Sequence, residues 1–205
     1  QYVKKITQDF RNKIRLATPV NVIDRVENSV IVRFGLDNQE EKFDAVVIAT
    51  HSDQAIKLLE KPTEKEKEIL SLLPYQPNDA VLHYDDSILP TRRAAWSSWN
   101  YLLDKNPEDP VALTYNMNIL QSLNASKTFC VTLNSTELIN KNKIIKSLNY
   151  EHPLFTIDGV NAQKRKREIS GQNNTYYCGA YWHNGFHEDG VVSALDICSQ
   201  FGEVL

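Results

Sequence analysis

The stretch that most restricts how this chain can fold is FDAVVIAT, Phe43 to Thr50. After its aspartate it is continuously apolar or small and rich in β-branched side chains, without the alternation of a strand that meets water on one side. Such a run suits a strand buried on both faces, as in the middle of a parallel sheet covered by helices. Ser52 or Asp53 can cap a helix directly after it, with Ala55, Ile56, Leu58 and Leu59 as its inner face. The small residues at the strand's carboxyl end, Ala49 and Thr50, stand where an open α/β sheet presents backbone groups to a ligand. A core strand ending in a turn is the plainer alternative, and the run alone leaves both open.

A second stretch, Tyr176 to Phe201, has the form strand, glycine turn, helix. Tyr176, Tyr177 and Cys178 are β-prone and end at Gly179, while Val191, Val192, Leu195, Ile197, Cys198 and Phe201 recur as on a half-buried helix. Asp189 suits an N-cap and Gly190 lets something approach the backbone. The free N–H groups of a helix start would then face the end of a strand, where an anion or an electron-rich ring is favoured.

In chain order, Tyr2, Val3, Ile6 and Phe10 predict an amphipathic helix over 2–12. Val20, Val22 and Val26, then Val30, Val32 and Phe34, predict a hairpin. Thr63 with Glu66 forms a capping box for a helix carrying Ile69, Leu72 and Leu73. From Pro74 the texture becomes that of antiparallel strands, at Ala80–Tyr84, Arg93–Leu103, Val111–Met117 and Phe129–Leu133. Residues 141–150 and 158–169 read as helices.

Composition narrows the classes. The 205 residues are 41% hydrophobic and 9% aromatic, with a net charge of −3, so a packed core is affordable and nothing draws the chain to nucleic acid. No apolar run approaches the roughly 18–20 residues that cross a bilayer, and the first residues lack the apolar core of a signal peptide, so no transmembrane segment and a cytoplasmic location are expected. Cys130, Cys178 and Cys198 read as buried free thiols. Gln1 opens directly into a patterned segment, as if the chain had been cut from a longer one, and none of the seven glycines falls in a G-x-G-x-x-G cluster.

His183, His187 and Glu188 raise a metal site, but HNGFHE is not H-E-x-x-H and Asn184 and Gly185 break the helix that would align the histidines, so no metal is expected. Ser97 and Ser193 sit in no nucleophile elbow. The basic run Lys164–Arg167 reads as a solvated helix face. In AAWSSWNYL, Ala94, Trp96 and Ser98 alternate with Ala95, Ser97, Trp99 and Tyr101. One of those faces could line an apolar substrate cavity, although an ordinary packed sheet is the plainer reading.

Taken together and in order, FDAVVIATHSDQAIKLL, YQPNDAVLHYDDSILPTRRAAWSSWNY, LTYNMNILQ, TLN, YEHPLF and YYCGAYWHNGFHEDGVVSAL resemble the C-terminal half of the flavin-containing amine oxidase superfamily. Within it, they are most similar to the predicted NAD/FAD-binding oxidoreductases associated with cyclopropane-fatty-acid synthases. The resemblance implies a mixed α/β (α+β) fold in which part of an FAD-binding Rossmann-like domain, residues 1–55 and 170–205, is interleaved with an antiparallel-sheet substrate domain, residues 56–169. It implies FAD as cofactor and hydride transfer to flavin from an amine or a lipid-like substrate, so that a small molecule or a lipid-like one is the expected substrate partner. Val22 would approach the adenine through its backbone, and Ala49 and Thr50 would lie near the ribose and phosphates. Gly179 and Ala180 would adjoin the pyrophosphate and ribityl chain. His187, Glu188, Asp189 and Gly190 would place backbone N–H groups against the flavin pyrimidine edge. The resemblance assigns no catalytic residue.

Two departures carry weight. Ala180 stands where many relatives have a carboxylate, and the glycine-rich βαβ element that would cradle the pyrophosphate is absent from these residues. A missing N-terminal glycine-rich half is therefore the expected partner, and this chain alone should bind FAD weakly or not at all. A cofactor-free binding or scaffold module is the alternative, and a metal-dependent hydrolase a distant third. The interleaved reading requires Phe43–Ala49 and Tyr176–Cys178 in one sheet, with residues 75–160 forming a separate antiparallel layer.

Overall fold

The computed structural model of the chain describes residues 2–103 and 111–203. The predicted N-terminal helix is short, α1 (Tyr2–Ile6), and continues as a 3-10 segment, Gln8–Lys13. Tyr2 is 66% and Ile6 65% exposed, so no packing extends the helix beyond its first turns.

Strands β1 (Val20–Val26), β2 (Ser29–Phe34) and β3 (Gln39–Phe43) form an antiparallel meander, with Ile23 opposite Val32 and Val30 opposite Phe43. The β1–β2 connection turns at Asn28, whose φ of 57° suits a short polar side chain. The long strand expected over Phe43–Thr50 is divided. Phe43 closes β3, and Asp44 and Ala45 turn the chain into β4 (Val46–Ile48). Asn174 Nδ2 holds that corner by donating to the Asp44 carbonyl at 2.6 Å. Burial on both faces is also not found: Val47 is 44% exposed, because β4 has a single strand neighbour among the described residues.

Helix α2 (Ser52–Leu58) follows, its N-cap being His51 rather than Ser52 or Asp53. Ser52 is instead buried and donates to the Leu73 carbonyl at 2.5 Å. Helix α3 (Glu64–Ser71) has the expected capping box: Glu66 N donates to Thr63 Oγ1 at 3.2 Å and Thr63 N donates to Glu66 Oε2 at 2.7 Å.

The next strands are β5 (Tyr75–His83), β6 (Trp99–Leu102) and β7 (Ala112–Asn116), followed by a single helical turn, α4 (Met117–Leu120), then β8 (Cys130–Leu133) and β9 (Ile144–Pro153). They form one five-stranded sheet in the order β6-β7-β8-β5-β9. Arg93–Ala95 is a 3-10 turn, so Ala94, Ala95 and Trp96 lie outside the strand expected for them. The helix expected at 141–150 is β9. Ile144, Ile145 and Leu148 keep a helical spacing, but both isoleucines are β-branched and the β5 edge supplies a ladder.

The chain ends with α5 (Ile157–Gln163), β10 (Thr175–Tyr177) and α6 (His187–Gln200). Helix α5 is shorter than the one expected over 158–169; after it come a 3-10 turn at Lys166–Glu168 and the strand. Gln1–Pro74 with Pro153–Leu205 forms one compact unit and Tyr75–His152 a second, so the chain leaves the first unit and returns to it.

Deep in the first unit, Tyr177 Oη donates to Glu66 Oε1 at 2.7 Å and Arg25 Nη1 to the same oxygen at 2.5 Å. Burial works to raise the Glu66 carboxyl. The hydrogen bonds from Arg25, Tyr177 and Thr63 outweigh it and leave the group below the ordinary carboxylate value. Arg25 also reaches the Lys61 carbonyl, so β1, α3 and β10 are tied at one point.

Candidate functional site

Strands β4 and β10 lie side by side and parallel, with Val46 opposite Thr175, Val47 opposite Tyr176 and Ile48 opposite Tyr177. The sheet contact required between the FDAVVIA segment and Tyr176–Cys178 is therefore present. Its carboxyl ends coincide, which brings Ala49 and Thr50 level with Cys178 and Gly179. Val46 N donates to the Asn174 carbonyl at 2.9 Å and Cys178 N to the Ile48 carbonyl at 3.1 Å. By ladder alternation the N–H and C=O of Val47 then point away from β10.

The two edges of this pair differ. On the outer side of β10, Thr175 N donates to the Gln172 carbonyl at 3.0 Å and Tyr177 N to Ser170 Oγ at 3.1 Å, so the chain closes that edge itself. No described strand pairs with the other edge of β4.

A cavity of about 460 Å³ opens beside β4, of the size that takes a small ligand. Its walls are Val20 and Ile23 of β1, Val32 of β2, the segment through Ala49 and Thr50, and Gln54 and Lys57 of α2. Val22 lies between two lining residues, beside a bulge in β1, and its side chain is not in the wall. Val22 is not among the residues that line the cavity, by backbone or by side chain. The wall is almost wholly aliphatic, with Gln54, Lys57 and Thr50 as its polar members, a surface suited to a flat apolar ring.

After β10 the backbone enters a tight turn. Gly179 has φ 152° and ψ 158°, and a Cβ there would meet Tyr181 Cε1 at 2.5 Å, so the position requires glycine. Ala180 begins a 3-10 turn, Ala180–Trp182, and supplies no polar side chain. Helix α6 starts at His187 with Phe186 as N-cap. Asp189 is therefore the third helical residue rather than the cap, and its Oδ2 accepts from Phe186 N at 2.9 Å. Phe186 has no side-chain acceptor, so only this half of a capping box exists. Gly190 N is the first to find an i−4 carbonyl, Phe186 O at 3.2 Å, which leaves the N–H groups of His187, Glu188 and Asp189 projecting from the helix start.

Nothing among the described residues demands glycine at 190. Its backbone is helical and a Cβ would meet no atom within 4 Å. The first turn already carries two carboxylates, Glu188 and Asp189. A full anion would be repelled there, whereas the electron-rich edge of a neutral ring suits the exposed N–H groups.

The brace behind this turn has no short-range signature. Gln163 Nε2 donates to the Tyr181 carbonyl at 2.9 Å and the His183 carbonyl at 2.6 Å. Lys166 donates to Asp196 Oδ2 at 2.8 Å and to Ser193 Oγ at 3.3 Å, and Ser193 Oγ also accepts from Gly179 N at 3.1 Å. Lys166 is 9% exposed and Ser193 fully buried, so this lysine is no part of a solvated basic face. Four basic residues in a row resemble a surface run in sequence, and only the docking of α6 singles out the third. The buried stripe of α6 is centred on Ser193 and Ile197, while Val191 and Val192 are exposed.

The five-stranded sheet of the second unit has two unlike faces. In register across it run the rows Trp99–Tyr115–Val131–Leu82 and Tyr101–Leu113–Leu133–Ala80, an apolar and aromatic face on which Trp99 meets Tyr115 edge-on at 5.6 Å. The expected pairing of Trp99 with Tyr101 on one face is present. The opposite face is buried and sets polar groups among Val81, Ala112 and Cys130. His83 Nδ1 accepts from Asp85 N at 3.1 Å, so Nε2 carries the proton and donates to Thr132 Oγ1 at 2.8 Å, which leads on to Thr114 Oγ1 at 2.8 Å. Burial holds His83 below its ordinary value, in keeping with a neutral ring. This chain was not foreseen, since a lone histidine and two threonines give no spacing signal across three strands.

Among the described residues no group of three His, Cys, Asp or Glu side chains is placed to hold a metal, and no helix is long and apolar enough to cross a membrane.

No family model and no curated protein matches the sequence. Solved structures do match in fold. A putative protoporphyrinogen oxidase from Exiguobacterium sp. 255-15 superposes over 92% of this chain at 14% identity and TM-score 0.63, using 47% of its own length. Cyclohexylamine oxidase from Brevibacterium oxydans IH-35A covers 97% of the chain at 14% identity and TM-score 0.61, with 52% of its own length. A CLA-producing fatty acid isomerase from P. acnes covers 90% at 14% identity and TM-score 0.61, again with 47% of its length. The chain thus has the mixed α/β fold seen in about half of each of these proteins, two of them oxidases by name and one an isomerase.

Proposed function

We propose that this chain is the C-terminal portion of an FAD-dependent oxidoreductase of the amine oxidase type. The observation that carries the reading is the parallel β4–β10 pair. It sets Ala49–Thr50 and Gly179–Ala180 at one end of a sheet, between an aliphatic cavity and the open N-terminus of α6. The residues fit the cofactor: the cavity suits the adenine, with Val22 next to its lining residue Ile23. Gly179 keeps the turn free of side chain where the pyrophosphate and ribityl chain would pass. The N–H groups of His187, Glu188 and Asp189, with Gly190 leaving space beside them, suit the pyrimidine edge. Bound there, the flavin would accept a hydride from the substrate. The chain's own part is to bind and orient it, with Gln163 and Lys166 bracing the turn from behind.

The edge of β4 that no described strand pairs with, while that of β10 is closed by its own loop, is the place for a strand of the glycine-rich half that completes the site. The chain spans about half the length of the solved structures it matches, in keeping with such a partner. The apolar face of Trp99, Tyr115, Val131 and Leu82 is the substrate surface. The two rows Trp99–Tyr115–Val131–Leu82 and Tyr101–Leu113–Leu133–Ala80 hold no carboxylate, which favours a hydrocarbon-rich substrate over a polyamine, since two ammonium groups would need carboxylates.

The full-length protein, mixed anaerobically with hydrophobic amines and unsaturated fatty acids, tests this. Loss of the oxidised-flavin absorption bands on mixing is expected. A colourless, cooperatively folded protein would overturn the reading in favour of a cofactor-free module.

A further inference from the structure

Cys178 and Cys198 take no part in the proposed site, yet the fold sets them against each other. Strand β10 and helix α6 run antiparallel and are pinned at two levels. The Tyr176 ring packs on Phe201 at 4.8 Å between centroids, and Gly179 N donates to Ser193 Oγ at 3.1 Å. Between these levels Cys178, two residues beyond Tyr176, projects from the same strand face toward α6. Tyr177 points the other way, to Glu66. Cys198 lies one helical turn before Phe201 on the same helix face. Cys178 is buried and Cys198 exposed.

We propose that Cys178 and Cys198 are a redox pair, closed to a disulfide by a peroxide and clasping α6 to β10. Peroxide reaches the exposed thiol first. The Cys198 sulfur attacks one peroxide oxygen, an S–O bond forms, the O–O bond breaks and water leaves, so that sulfur is oxidised by two electrons to a sulfenic acid. The Cys178 sulfur then attacks the Cys198 sulfur. The S–S bond forms, the S–O bond breaks, and the departing hydroxide takes the Cys178 proton as a second water. Burial holds the Cys178 thiol above its ordinary value, the Lys166 ammonium works against that, and a charge on Cys198 is felt at Cys178, as their proximity requires. The third cysteine is outside this chemistry: Cys130 is fully buried in the other unit, its thiol pushed up to about 12 by burial and by Asp86 and Asp85.

The test is a titration of the reduced full-length protein with hydrogen peroxide, followed by alkylation of the remaining thiols and peptide mapping without reductant. A linked peptide pair containing Cys178 and Cys198 should appear and vanish on adding dithiothreitol, while Cys130 stays alkylated. Cys198→Ser, a change at an exposed position, should abolish the link and leave Cys178 fully alkylated. Oxidation of Cys198 to sulfinic acid, or to links between molecules, with Cys178 still alkylated throughout would overturn the proposal.

Discussion

Gly190→Ala separates a structural role for this glycine from a binding one, because the two predict opposite signs. Gly190 is the fourth residue of α6, helical, with open space where a Cβ would stand. Alanine in a helix is favoured over glycine by about 0.5–1 kcal/mol. At roughly 2–4 °C per kcal/mol for a chain of this size, Tm should rise by about 1–4 °C. A helical Cβ tilts toward the N-terminus of its helix, here toward the free N–H groups against which the flavin edge is proposed to lie. A methyl group there should cost the ligand about 1–3 kcal/mol, ~5- to 150-fold in Kd. Thermal unfolding of the full-length apoprotein and fluorescence titration with FAD, both on wild type and variant, measure the two effects. A raised Tm with unchanged FAD affinity would refute the placement of the cofactor against this turn. A lowered Tm would refute the helix geometry from which the argument starts.

Tyr177→Phe removes a fully buried donor from the Glu66 carboxylate and should cost about 1.5–3 kcal/mol in urea unfolding at neutral pH. Because the folded Glu66 carboxyl sits below its unfolded value of about 4.3, it stabilises the fold above that pH and loses the effect as pH falls through the folded value; the variant should therefore lose less stability than wild type between about pH 5 and pH 2. Asp85 accepts from Asn140 N, Ser87 N and Oγ, and Lys143 Nζ; these bonds outweigh the upward push of burial and hold the carboxyl low. Asp85→Asn should cost about 2 kcal/mol and flatten the acid limb of the stability curve in the same direction, measured by urea unfolding across pH. Trp99 is 52% exposed, so Trp99→Ala should change stability by no more than about 1 kcal/mol, yet raise KM for a hydrocarbon-rich substrate about tenfold with kcat little changed.

The parts of the fold legible in the sequence are those with local causes. The Thr63–Glu66 box and the β1–β2 hairpin, with its asparagine turn, follow from short-range chemistry, and both are found where expected. The parallel partnership of β4 with β10 became legible only through the ordered family resemblance, since no short-range rule joins residues 129 positions apart. Failures occurred where tertiary context decides. Residues 144–153 become a strand because β5 offers an edge, and Lys166 is buried because α6 arrives with Ser193 and Asp196. Asp189 looked like a cap but stands three residues inside, since the aromatic Phe186 takes the cap position that a polar side chain normally fills. The polar face containing His83, Thr132 and Thr114 is assembled from three strands far apart in sequence, and no single segment carries its signature.

The measurement that bears most directly on the central reading is FAD retention by the two halves together. The chain and the glycine-rich N-terminal half, purified separately and mixed with FAD, should hold about one flavin through gel filtration, with the chain alone holding little. Failure of the mixed halves and of the full-length protein to retain any flavin would contradict the assignment of the Gly179 turn and the α6 N-terminus to a cofactor site.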